Sequence, residues 1–253
     1  LGAAFRRRFS AMTVSRLPDS YRKIMVTSSE MVSKGYGHAL CLSAPTHVLE
    51  TSMKLYYSPG ACSMASHIVL NEIGRRFETE CVDTRTKTTE RGTDFLSVNP
   101  KGKVPALAHD GEVLTEGPAI LQFVADGAEA ETLAPKPGTL ARARVNEMLT
   151  YTSSELHPAF GPLFNPAADE ATKAAARKTV AAKLDWLEAR LADGRAYLTG
   201  ANFTIADAYA FVVANWANFT GIALDAWPRL SDYVARVAAR PATQATLKAE
   251  GLI

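Results

Sequence analysis

Two hydrophobic periods alternate along the chain from residue 53 onward. Met53-Lys-Leu-Tyr-Tyr57 is a short β-prone run, ended by the turn formers Ser58, Pro59 and Gly60. Ile68, Leu70, Ile73 and Phe77 then recur near the spacing of one helix face, with Gly74 placed to close the helix. Residues 80–83 read as a second strand. Residues 99–105 are a loop dense in turn formers, leading into runs at 106–110 and 112–115 whose spacing about Asp110-Gly111 predicts a β-hairpin. A helix follows from 116–119, with Ile120, Leu121, Phe123 and Val124 on its apolar side. The order is β-α-β and then β-β-α in about 75 residues.

Residues 133–138 hold two prolines and a glycine, which break any helix and read as a linker. Beyond it the period is helical throughout, over 139–160, 170–192, 203–219 and 228–239. Thr204-Ile-Ala-Asp207 has the form that satisfies free N–H groups at a helix start. The pattern thus predicts an α/β unit over 53–132 and an all-α unit over 138–253.

Composition changes this picture mainly by exclusion. With 47% apolar and 21% charged residues in 253, the chain is an ordinary folded protein, neither collagen-like nor a disulfide scaffold. No run approaches the ~18–20 apolar residues of a membrane span. The net charge of +2 is uneven: residues 1–52 carry 7 Lys/Arg against 3 Asp/Glu, leaving 21 against 23 for the remainder. A slightly acidic body offers no footprint for nucleic acid. Residues 1–52, with Arg6, Arg7 and Arg8 together and no sustained period, read as sequence outside the folded unit that Met53 begins. Either they are extraneous to the native start or they are a targeting segment. Cys41, Cys62 and Cys81 are too scattered for a disulfide framework or a cysteine-rich zinc site, so a reducing, cytoplasmic setting is expected, with organelle targeting by residues 1–52 as the alternative.

The candidate chemistry centres on Cys62, at or beside the first turn of the predicted helix. There the unpaired N–H groups and the dipole would stabilise a thiolate and lower its pKa. The opposing reading is a small buried apolar residue. Val104-Pro105 is a candidate cis peptide that would leave the backbone of Val104 facing a cleft and open to an extended peptide; a trans proline that delays the strand is the alternative. Thr115-Glu116-Gly117 sets a carboxylate at a helix start, as a cap or as an ammonium site beside a carboxylate site.

Together, Met53-Lys-Leu-Tyr-Tyr-Ser-Pro-Gly-Ala-Cys-Ser63, Asn99-Pro-Lys-Gly-x-Val-Pro-Ala-Leu107, Leu114-Thr-Glu-Gly117, Glu155-Leu-His157 and Phe203-Thr-Ile-Ala-Asp-Ala208 resemble a bacterial glutathione S-transferase of the beta class over 53–253. The resemblance implies a thioredoxin-like N-terminal domain, an all-α C-terminal domain and a homodimer. It also implies glutathione as co-substrate, no metal, and a small hydrophobic electrophile as second substrate. It implies that Cys62 faces the glutathione sulfur and forms a mixed disulfide with it, while Tyr57 and Ser63 are lesser thiol activators. Backbone pairing falls on Val104 and Pro105, γ-glutamyl contacts on Glu116 and Gly117, a basic contact on Lys87, and a second-domain histidine on His157. His157 is open between an interface-bonding and a catalytic role. Two departures stand out: Gly117 replaces a common serine, and Pro158 a common lysine. A non-catalytic protein sequestering hydrophobic compounds, with Phe160, Leu163 and Phe164 as walls, is the functional alternative. The expectation for the three thiols is that Cys62 reacts first near neutral pH.

Overall fold

The computed structural model describes residues 53–253. The expectations for residues 1–52, Cys41 included, lie outside the described residues. Five strands form one mixed sheet: β1 (Met53–Tyr57), β2 (Phe77–Asp83), β3 (Thr88–Thr89), β4 (Ala106–His109) and β5 (Glu112–Thr115), in the order β3-β2-β1-β4-β5. Only the β1–β2 pair is parallel. A parallel pair needs a crossover, and α1 (Met64–Ile73) supplies it. The β4–β5 hairpin turns on Asp110 and Gly111, both at positive φ, as a two-residue turn with the right twist requires. α2 (Gly117–Gly127) then packs beside α1.

The second half is helical: α3 (Leu140–Tyr151), α4 (Glu170–Arg190), α5 (Ile205–Asn215), α6 (Pro228–Ala238) and α7 (Pro241–Ala249), with short turns between them. α5 is buried from Ile205 to Ala214, the mark of a helix apolar on every face and packed on all sides. It touches α1, α3 and α6, so one apolar cluster runs from β1 through α1 into the helical half. At its start Asp207 accepts from the N–H groups of Thr204 and Leu198 and from the Thr204 hydroxyl, which satisfies the buried carboxylate and fixes the helix end. Among the described residues no helix is long and apolar enough to cross a membrane.

Several sequence expectations need correction. Phe77 opens β2 opposite Met53 instead of extending the helix face, because Gly74 ends α1 in the left-handed region. Phe123 is half exposed and lays its ring on His109. The single helix expected over 139–160 is interrupted by a π-helical segment, Thr152–Leu156, followed by the short turns His157–Ala159 and Gly161–Phe164. The period also passed over α7, whose buried side chains include Thr243 and Thr246 and whose small-residue pattern gives little apolar signal.

Candidate active site

The loop from Ser58 to Ser63 joins β1 to α1 and carries Cys62. The Ser63 hydroxyl accepts the Ser58 N–H at 3.1 Å and donates to the Ser58 carbonyl at 3.3 Å, closing the loop from within. Gly60 sits at its apex with φ 71°, a conformation that costs glycine nothing. Both of its backbone groups are held from the far end of the chain: the Gly60 N–H donates to Glu250 Oε2 at 2.9 Å, and Trp216 Nε1 donates to the Gly60 carbonyl at 2.9 Å. Glu250 is buried, and its other oxygen lies 3.0 Å from His67 Nδ1 on α1.

Cys62 lies just before the helix, and its Sγ donates to the Val104 carbonyl at 3.4 Å. Val104-Pro105 is a cis peptide bond. The Val104 N–H has no hydrogen-bond partner among the described residues, so this backbone offers a free donor beside the thiol. Burial pushes the Cys62 thiol up to about 11. The backbone N–H groups of Cys62 and Ser63 pull it down, as expected of a helix start, but the cost of desolvating a thiolate outweighs them, and the Glu116 carboxylate adds to the rise. The expectation of a thiolate primed at neutral pH is therefore corrected: the resting side chain is a neutral thiol and a hydrogen-bond donor.

The loop before Val104 is organised by buried Asn99, whose side chain donates to the Lys103 carbonyl and accepts the Lys101 N–H. Lys87 donates to the Gly102 carbonyl at 2.7 Å, and a Cβ added at Gly102 would sit 3.2 Å from the Lys87 stem. At the rim, Glu116 takes a positive φ of 72° immediately before the first turn of α2, and Gly117 begins that turn. The Glu116 carboxylate meets the Lys101 ammonium at 2.6 Å, with both side chains more than half exposed.

On the helical side His157 follows the π segment, whose extra residue re-aims the chain there. Its Nδ1 lies 2.7 Å from the Tyr209 hydroxyl on α5, and its ring stands edge-on to Trp216 at 4.8 Å. Desolvation, with a smaller contribution from Lys103, lowers its pKa and keeps the ring neutral at pH 7. Trp216 also packs against Phe164 at 5.1 Å, while Phe160 is fully buried behind it. Of the apolar walls expected, Leu163 and Phe164 keep exposed surface and Phe160 does not.

The N-terminal domain model of glutathione S-transferases matches residues 51–126 and the C-terminal domain model matches 151–241. Glutathione S-transferase GstA of Escherichia coli O157:H7 is 43% identical over 201 residues, covering 79% of this chain and all of that protein. The chain belongs to the glutathione S-transferase family. Among solved structures, a sphingomonad glutathione S-transferase complexed with glutathione is 49% identical with a TM-score of 0.76, and the beta-class enzyme of Sphingomonas chungbukensis is 47% identical with a TM-score of 0.77. Each covers 79% of this chain and the whole of the other.

Within this transferase fold, Cys62 reaches the Val104 carbonyl, Gly117 stands beside Pro105, where a Cβ would lie 3.9 Å from the proline ring, and the Glu116 carboxylate is near enough to act on the Cys62 thiol. Lys87 joins through the Gly102 carbonyl. Tyr57 is buried, and its ring lies 5.5 Å from that of His67. Ser63 is likewise fully buried, its hydroxyl bonded to Ser58, in keeping with the lesser role in thiol activation that the resemblance implies. Sequence reasoning missed His67, Tyr209, Trp216 and Glu250. Their side-chain hydrogen-bond partners in the site lie 52 or more positions away, and no local motif connects them.

Proposed function

We propose that this transferase binds glutathione along the cleft and directs its thiol at a small hydrophobic electrophile or at a disulfide. The observation that carries this is the Cys62 thiol resting on the Val104 carbonyl beside an unpaired Val104 N–H. An extended cysteinyl peptide pairing with that backbone brings its sulfur against Sγ. As a neutral thiol, Cys62 donates a hydrogen bond to the glutathione sulfur and stabilises its anion, the nucleophile of conjugation. When ionised, it attacks glutathione disulfide: a bond forms between Cys62 Sγ and one glutathionyl sulfur, the disulfide breaks, and glutathione leaves as thiolate.

Glutathione carries two carboxylates and one ammonium. Glu116 suits the ammonium, the first N–H groups of α2 suit the γ-glutamyl carboxylate, and Lys87 and Lys103 suit the glycyl carboxylate. Leu163, Phe164 and Trp216 suit an apolar second substrate. A homodimer belongs to the same reading, supported by the exposed apolar side chains Val113 on the sheet edge and Leu140 on α3. So does a cytoplasmic setting, where glutathione is reduced.

Steady-state assays with glutathione and an aromatic halide separate catalysis from sequestration. Rates saturable in glutathione, with glutathione consumed, support the transferase reading. Tight binding of hydrophobic compounds without consumption of glutathione contradicts it. Light scattering at micromolar concentration checks the dimer.

A further inference from the structure

Tyr209 is 4% exposed, and its hydroxyl lies near enough to Cys62 and Glu116 to feel both. It makes one hydrogen bond among the described residues, the 2.7 Å contact with His157 Nδ1. His157 in turn makes none through Nε2 among the described residues. A contact between a phenol and a neutral imidazole can run in either direction, and the direction decides what Nε2 presents. If Nδ1–H donated to the phenol oxygen, the phenolic proton would be left in a buried setting with no acceptor, at the cost of an unmade hydrogen bond. If the phenol donates to Nδ1, its one proton is used, and the imidazole carries its own on Nε2. The surroundings keep both groups neutral: burial holds the phenol protonated, and desolvation with Lys103 holds the imidazole uncharged.

We propose that Tyr209 is a positioning residue that donates to His157 Nδ1 and thereby holds the ring as the Nε2–H tautomer, offering that N–H as a neutral donor to the sulfur end of the cleft. The proposal rests on the glutathione reading above. It assigns the two aromatic groups one direction of proton flow: Tyr209 Oη–H to Nδ1, and Nε2–H outward. The ring plane is set independently by its edge contact with Trp216, whose own indole N–H is committed to Gly60, so rotation of the imidazole is blocked on that side. The groups facing this pair are Lys103 from the loop before Pro105, Cys62 before α1, and Glu116 before α2.

Nitrogen-15 shifts of His157 in the full chain test this directly. The wild-type protein at pH 7.5 should show a protonated Nε2 and a bare, hydrogen-bonded Nδ1; the opposite pattern overturns the proposal without any variant. Tyr209→Phe should shift His157 toward a mixture of tautomers and lower kcat about tenfold, part of the roughly 10²- to 10⁴-fold worth of a positioned proton donor, while the KM for glutathione stays within about twofold. Unchanged shifts and unchanged kcat in Tyr209→Phe overturn it. If no glutathione turnover is found in the wild type, the proposed function fails, and the tautomer readout still decides the role of Tyr209.

Discussion

Two parts of the candidate site are built on opposite principles. At the sulfur end, the Cys62 loop is clamped by buried groups: Glu250 on the Gly60 N–H, Trp216 on the Gly60 carbonyl, Ser63 on Ser58. At the rim, Glu116 and Lys101 meet in solvent, where Coulomb attraction is weak and screened by salt. The lesson is a division of labour. Buried hydrogen bonds hold a reacting atom to a fixed place, whereas an exposed carboxylate is free to exchange an internal ammonium for that of a ligand.

Disturbing the clamp should cost most. Glu250→Ala leaves the Gly60 N–H and His67 Nδ1 facing a buried gap, and a loss of about 3 kcal/mol in denaturant unfolding is expected. A loss below about 0.5 kcal/mol would place Glu250 on the footing of a surface residue. Glu116→Gln at the rim should leave stability nearly unchanged and raise the KM for glutathione roughly tenfold, the worth of one charge-assisted hydrogen bond. Trp216→Phe keeps the ring stacking and removes only the donor to Gly60, so a loss of about 1 kcal/mol is expected, with a fall in Cys62-dependent activity. Lys101→Ala removes the ammonium that competes for Glu116 and should lower that KM about twofold at low salt, an effect that fades as salt is added.

The acid limb of the pH profile sharpens the same contrast. His157 has a pKa below the usual 6.5, so activity that needs the neutral ring holds at pH 7 and falls only as pH drops through that lowered value. Tyr209→Phe exposes Nδ1 and should move this limb toward neutral pH.

The sequence carried the sheet well, because alternation, Ser58-Pro59-Gly60 and Asp110-Gly111 are local signals for local structure. β1 and β5 begin and end where the pattern placed them. It carried the Asp207 cap for the same reason, and it left Val104-Pro105 open between cis and trans, which the structure decides as cis. The clamp was invisible, since Gly60 and Glu250 stand 190 positions apart and Glu250 belongs to no motif. The ionisation of Cys62 was misjudged because position at a helix start is readable in a sequence, whereas the burial that overrides it is a property of packing.

The central claim, a neutral thiol at Cys62 seated where glutathione's sulfur comes to rest, is tested most directly by incubating the full chain with glutathione disulfide at several values between pH 7 and 10. Adducts are then located by mass spectrometry of the digested protein. One glutathionyl group on Cys62, removed by dithiothreitol, is expected. With the thiol at about 11, roughly one part in ten thousand is ionised at pH 7, and the initial rate should climb about tenfold per pH unit. A rate that is already fast and flat at pH 7 would contradict the neutral thiol, and labelling of Cys81 in place of Cys62 would contradict the site itself.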